Sequence, residues 1–362
     1  MHALREYGSK YNTVVSGPIL KARWSGMKRV LVVTESNSPK GTRFRLNFID
    51  ATDPFRLSSI FVMETHSLVV SLAYRDGLIY CSMSRDFSIY DVSDLSSVKE
   101  ISHIDLYGGI DMELSSDGNY AYLTSWKRGI TIVDIHNPFS PSVVGRASCN
   151  YEVLPDDDSP YGPYGVAGIV VRGRYAFCVT CDYTDDKHRE VFIVYDIADP
   201  SKPSQAAIIS TAPWRSHGMV AQGDIAYASG FESILVFDIS EPLDPVLINR
   251  HEQKARMCCN SVIRGNLLYN AGSDYAPEGS AGVLSIFDIT NPLHIREIGE
   301  TPTLGRVSWN LALVKDLVYV VSDGTISVVE IANPEKPAVR SLCGPSGADM
   351  VYNAIEIIDF SA

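Results

Sequence analysis

The side chains best suited to chemistry in this 362-residue chain are a few histidines, cysteines, arginines and acids that recur at matching places. His217 and Cys259 suggest a base and a nucleophile, because an imidazole can take the thiol proton and leave a thiolate. Tyr164, His66 and Asp111 add groups able to move a proton in a lyase, isomerase or hydrolase step. No G-x-S-x-G elbow and no triad spacing accompanies them. Arg215, Arg256 and Arg306 fall within one residue of equivalent positions, and three converging guanidinium forks would suit a carboxylate, phosphate or sulfate. The competing reading pairs them with acidic residues such as Asp156, Asp157 or Asp158.

Trp126, Trp214 and Trp309, with Tyr107, Tyr161, Tyr164, Tyr183 and Tyr275, offer flat faces for a sugar or an aromatic ring, or else anchor connections onto the body of the protein. A metal held by His217, Cys258 and Cys259 with His188 and Asp182 is disfavoured. The spacing is not compact, and adjacent strand residues point to opposite faces. The acidic stretches at 156–158 and 182–186 offer oxygen ligands for calcium, but neither matches the EF-hand loop, and they read as solvated loops. No metal and no cofactor is therefore expected.

What must position these residues is a repeat. The stretch ILVFDISEPLDP at 234–245 recurs as FRLNFIDATDP, FSIYDVSD, ITIVDIHNP, VFIVYDIADP, VLSIFDITNP and ISVVEIANP. Its acid falls at Asp50, Asp91, Asp134, Asp196, Asp238, Asp288 and Glu330, at intervals of 41, 43, 62, 42, 50 and 42 residues. A period near 42 is the size of a four-stranded propeller blade. Each unit reads as four strands, a to d, with the phrase as strand c and its turn. The Pro, Asn and Asp of that turn preset φ or cap the backbone, which makes the acid structural. An aromatic recurs in strand b, as Tyr80, Tyr122, Phe177, Tyr227, Tyr269 and Tyr319 with Leu31 in the first unit, and reads as core between neighbouring units.

With the YAY-like strand before it and the Pro-x-x-Pro spacing after it, the phrase resembles the LVIVD-repeat family of β-propeller proteins over roughly residues 20–345. The resemblance implies a fold and leaves function open, because propellers host unrelated activities. The expectation is an all-β chain forming one seven-bladed β-propeller domain over 1–362, of four-stranded antiparallel blades at about 19–65, 66–106, 107–160, 161–212, 213–254, 255–303 and 304–345. Either 346–362 or 19–28 supplies the strand that closes the ring and removes its open edges.

In this topology the d-to-a and b-to-c connections share one face of the disc. The extra length at 149–163, 181–190 and 273–282 falls on that face alone, and long loops on a rigid scaffold are where binding usually lives. Aligning the a strands on their following turns gives one ring at the mouth of that face: Val70, Met112, Ala167, His217, Cys259 and Trp309, with Lys21 or Tyr352 in the first blade. A formal charge of −12 argues against bare nucleic acid or an anionic membrane as partner. With no run of 18 apolar residues and no signal-like start, the chain reads as cytoplasmic, or as secreted or periplasmic if a leader has been removed. The favoured role is binding a protein partner or a small anionic or aromatic ligand at the decorated face; the rival is an enzyme in the same mouth.

Overall fold

A computed structural model describes residues 29–37, 43–106, 109–125, 129–149, 164–182, 191–210, 216–276, 279–303, 305, 307–343, 350–351 and 354–359. Among them the only helix is a 3-10 turn, Pro292–His294, and everything else regular is antiparallel β-structure. None is a helix long and apolar enough to cross a membrane.

The strands form six sheets. The first holds Arg29–Asn37, Phe44–Asp50 and Ser58–Glu64, with Ile355–Asp359 and Met350–Val351 on the free edge of Arg29–Asn37. Four sheets have the expected four strands, beginning at Val69–Arg75, Gly109–Leu114, Tyr164–Arg172 and Ser308–Val314. The remaining sheet has six strands, in the order Ser216–Gln222, Ile225–Asp238, Val246–Arg264, Leu267–Ala276, Gly279–Asp288 and Arg296–Pro302. It corresponds to two sequence units rather than one. Ile225–Asp238 pairs with the strand before it up to Gly230 and with the strand after it from Phe231 onward. Val246–Arg264 likewise pairs with Ile225–Asp238 through Glu252 and with Leu267–Ala276 from Arg256. Residues 253–255 run as strand from one unit into the next, Glu232 turns the chain at a positive φ of 57° inside Ile225–Asp238, and the Phe231 to Met257 pairing stitches the halves together.

The first strands of successive units touch one another in a ring. Ile355–Asp359 lies against Val69–Arg75 on one side and Ser308–Val314 on the other. Residues from the chain's end therefore close the array. The competing segment, 19–28, lies outside the described residues. Arg29 fixes this closure with an ion pair to Asp359 at 2.7 Å.

Seven apolar clusters fill the spaces between consecutive units. The recurrent aromatics Tyr80, Tyr122, Phe177, Tyr227, Tyr269 and Tyr319 are all buried, each in a different cluster. In the first unit the register corrects the expectation. The Ala51 amide bonds to the Arg29 carbonyl as Val92 does to Gly77, which makes Val32 the counterpart of Tyr80. Leu31 points into the neighbouring cluster instead.

The repeated phrase does the structural work expected of it. In six units the ruler acid, Asp50, Asp91, Asp134, Asp196, Asp238 or Asp288, accepts the amide two residues on. A second such turn follows at Asp53, Asp94, Asn137, Asp199, Asn291 and Asn333. Glu330, one methylene longer, pairs with Arg340 instead. These turns also brace the preceding unit. Gly145 and Gly299 sit so close to the carbonyls of Pro200 and Pro334 that an added Cβ would come within 2.1 Å and 1.9 Å of them, and Asn249 donates to the Pro292 carbonyl at 3.1 Å.

Candidate functional site at the axial mouth

The first strands of the units share a defect in their pairing. Register shifts fall between Val69 and Ser71, Gly109 and Met112, Val166 and Gly168, Ser216 and Gly218, Cys258 and Asn260, and Ser308 and Asn310. All six lie at the end of the strand that follows the d-to-a connection, on the face carrying the long connections. A bulge places two residues against one, bends the strand and re-aims side chains. The residues at the shifts are Val70, Ile110, Ala167, His217, Cys259 and Trp309, equivalent positions that match the sequence alignment with one correction. Met112 pairs with Leu123, beyond the bulge, because the turn after Gly109–Leu114 is longer than that after Val69–Arg75.

A bulge leaves a backbone amide without its ladder partner, and the next residue along supplies one. Asp111, Asn260 and Asn310 each accept their following amide with a side-chain oxygen, at 2.8, 2.6 and 2.7 Å. At the matching place in the fourth unit, a Cβ on Gly168 would come 2.7 Å from the Met219 nitrogen, so only glycine fits where these strands crowd.

Asp111 does more than cap its own bulge. It accepts the Ser71 hydroxyl at 3.4 Å and the Ile169 amide at 3.3 Å, joining first strands of three units. Burial pushes its carboxyl up to about 6, against the lowering effect of those hydrogen bonds. The residue keeps part of its surface open although protein surrounds the carboxylate, so water moderates this burial. Two residues on, Glu113 takes the Val171 amide at 2.8 Å, and burial raises it to about 6 as well. Glu356 on the closing strand repeats this on Tyr74 at 3.2 Å and is also raised by burial. Glu113, Glu356, Asn260 and Asn310 were not singled out from sequence; the signal available was a polar residue at a fixed offset in an otherwise apolar first strand.

Arg256 is occupied by the protein itself. Its guanidinium reaches Asp274 at 2.6 Å, Glu297 and Ser285 at 2.8 Å, and Glu300. Burial opposes its charge, but three carboxylates outweigh that and raise its pKa. The structure thus takes the pairing alternative for this arginine, with acids other than the three considered. Cys259 is buried, and burial drives its thiol well up, away from the thiolate a nucleophile needs. Cys258 is pushed up to about 12 by the same cause and points to Gln253. Trp309 is half-buried, its indole N–H held by Asp323 at 2.9 Å, so its orientation is fixed. His66 is not at the mouth with Asp111; it lies at the rim against Glu100 and His103. The backbones of His217 and Tyr164 lie in first strands, but their side chains fall outside the described residues, as do Trp126, Trp214, Arg215, Arg306, the connections 150–163 and 183–190, and the calcium candidates. The insertion at 273–282 is not a loop: Ser273 to Ala276 pair with Gly279 to Gly282 as a hairpin that lengthens two strands.

The unit built on Gly109–Leu114 carries all these features: bulge, buried acids, core aromatic and double Asx turn. The model of the LVIVD repeat matches residues 108–148. The chain carries an LVIVD repeat. The matched range includes Asp111, Glu113, Tyr122, Asp134 and Asn137. No curated protein matches the chain. Among solved structures, a Lactobacillus plantarum protein is 12% identical, covers 92% of this chain and 99% of its own, and superposes with a TM-score of 0.70. A candidate 6-phosphogluconolactonase from Bacteroides fragilis is 11% identical, with 93% and 99% coverage and a TM-score of 0.69. A hypothetical selenium-binding protein from Sulfolobus tokodaii is 10% identical, with 92% and 95% coverage and a TM-score of 0.64. At such identities the likeness is one of fold, that of propeller-like all-β proteins.

Proposed function

We propose that this LVIVD-repeat chain is a single seven-bladed propeller that binds a small ligand in the axial mouth of its decorated face. Seven blades rather than six are supported by the seven inter-unit clusters and by seven equivalent b-to-c closing bonds, including Ile239 to Asp224 and Ile289 to Asn266 within the six-stranded sheet. The observation that carries the binding reading is the set of six register shifts at one level, at Val70, Ile110, Ala167, His217, Cys259 and Trp309, which supports a shared mouth lined from equivalent positions. Half of that ring is apolar and half is aromatic or polar. This suits a ligand with a flat or apolar part against Trp309 and hydrogen-bonding groups that meet the side-chain amides of Asn260 and Asn310. Binding is favoured over catalysis because the Cys259 thiol is held away from its thiolate. Arg256 is engaged by three acids, so an anionic group on the ligand would rely on Arg215 and Arg306.

The test is saturation-transfer NMR against a panel of small aromatic carboxylates and amides, on the wild type, Trp309→Ala and Ile110→Asp. The reading expects at least one binder, lost in both variants with folding intact. Binders that survive both changes would contradict it.

A further inference from the structure

At the rim of the second sheet, far around the chain from the cysteines weighed for a metal, two histidines and three carboxylates converge. His66 lies between Ser58–Glu64 and Val69–Arg75, Asp86 opens the strand Asp86–Asp91, and Glu100, His103 and Asp105 belong to Lys99–Asp105. The His66 and His103 rings lie 4.3 Å apart and tilted by 47°. His66 Nε2 is 3.1 and 3.0 Å from the two Glu100 oxygens, and His103 Nδ1 is 3.7 Å from Glu100 Oε1. One donor atom from each of the three residues lies within 4.8 Å of the others. Ligands at about 2.0–2.2 Å from a tetrahedral zinc ion stand about 3.3–3.6 Å from one another, so only a small closing movement is needed.

We propose that His66 Nε2, His103 Nδ1 and the Glu100 carboxylate form a binding site for one divalent transition-metal ion of the zinc or cobalt class. The other side of His103 is arranged as such a ligand requires. Ser88 Oγ lies 3.2 Å from Nδ1, so its hydroxyl must turn away when a metal takes that nitrogen's lone pair. Nε2 then carries the proton and faces Asp105 at 3.4 Å and Asp86 at 3.6 Å. Asp86 is the independent indication. Its side chain is only 10% exposed, and among the described residues it accepts no hydrogen bond, its one charged partner being His103. A nearly buried carboxylate aimed at the far nitrogen of a histidine is the outer half of a carboxylate–histidine–metal arrangement, which fixes the ring and raises its basicity. Two imidazoles select a transition metal over calcium or magnesium. Three protein donors leave a fourth position for water or for a donor atom of a bound molecule.

The experiment is isothermal titration of untagged, full-length protein with Zn²⁺, with Co²⁺ absorption as the reporter of geometry. The expected result is one ion per chain and an intense four-coordinate cobalt band. His66→Ala, His103→Ala and Glu100→Gln should each abolish that band. Asp86→Asn should keep the stoichiometry but weaken affinity about 10–100-fold, as loss of an outer-shell partner does. Glu252→Gln, on a distant strand, should change nothing. If His103→Ala proves unstable, His66→Ala and Glu100→Gln decide alone. Absence of stoichiometric binding, or binding that these two variants leave intact, overturns the site and leaves the axial mouth unaffected.

Discussion

Asp111 concentrates the residue-scale argument, because one carboxylate caps its own bulge and tethers the first strands of two neighbouring units. Its folded-state pKa stands at about 6, above the ordinary value of 3.8. The folded protein therefore holds a proton there that the unfolded chain has released, and stability falls as pH rises between about 4 and 6. The cost at neutral pH is at most about 3 kcal/mol, and less because the residue stays partly open to water. Denaturation at stepped pH should show this decline, and Asp111→Asn should flatten it while leaving the smaller share from Glu113. An unchanged profile in the variant would contradict the assignment. Arg256 yields a prediction of a different kind. Removing it strands Asp274, Glu297 and Glu300 side by side, so Arg256→Ala should destabilise the fold by about 2–3 kcal/mol, below a fully buried pair because those acids reach water. Equal chemical-denaturation midpoints for variant and wild type would show the network to be dispensable. Sequence alone could place these arginines at equivalent positions, but not reveal that acids on two further strands had already engaged one of them.

At the scale of elements, the repeated phrase proves to be strand, turn and brace at once. Asp238 holds the Ser240 amide at 2.9 Å, and hydrogen bonding keeps its carboxyl below the usual range. That contribution is present above the ordinary carboxylate value and is lost as pH falls through the lowered one. Asp238→Ala should cost about 1 kcal/mol in unfolding free energy and leave ligand and metal binding unchanged. Gly299→Ala should cost more, about 1–3 kcal/mol, because its Cβ would meet the Pro334 carbonyl of the next unit. A thermal shift no larger than that of Asp238→Ala would show that the units give way at this contact. Strands and turns were legible because Asp, Asn and Pro recur at fixed offsets from an apolar run. The bulges were legible only as a ring of equivalent positions, and counting back from the turn failed at Met112, where one turn is longer than the rest. The aromatic of the b strand misled only in the first unit, where no aromatic marks the register and Leu31 and Val32 look alike.

For the whole molecule, period fixes architecture while pairing fixes closure. The chain's last strand, Ile355–Asp359, completes the first sheet, a choice the sequence left open between two segments. Truncation before residue 350 should expose the free edge of Arg29–Asn37, lower the melting temperature and promote association. An unaltered monomer with wild-type stability would argue against closure by this strand. Seven sequence units become six hydrogen-bonded sheets because the connection at 253–255 continues as strand and Phe231 pairs with Met257 across it, something composition cannot signal. The stretched periods pointed to one face, of which the insertions at 149–163 and 181–190 lie largely outside the described residues, whereas the engagement of Arg256 by Asp274, Glu297 and Glu300 was not legible in the sequence. The central claim is that this mouth holds a ligand. Native mass spectrometry of the purified chain tests it most directly: a bound small molecule should be retained by Arg256→Ala and lost from Trp309→Ala, whereas a molecule retained by Trp309→Ala, or no bound molecule from any native source, would contradict it.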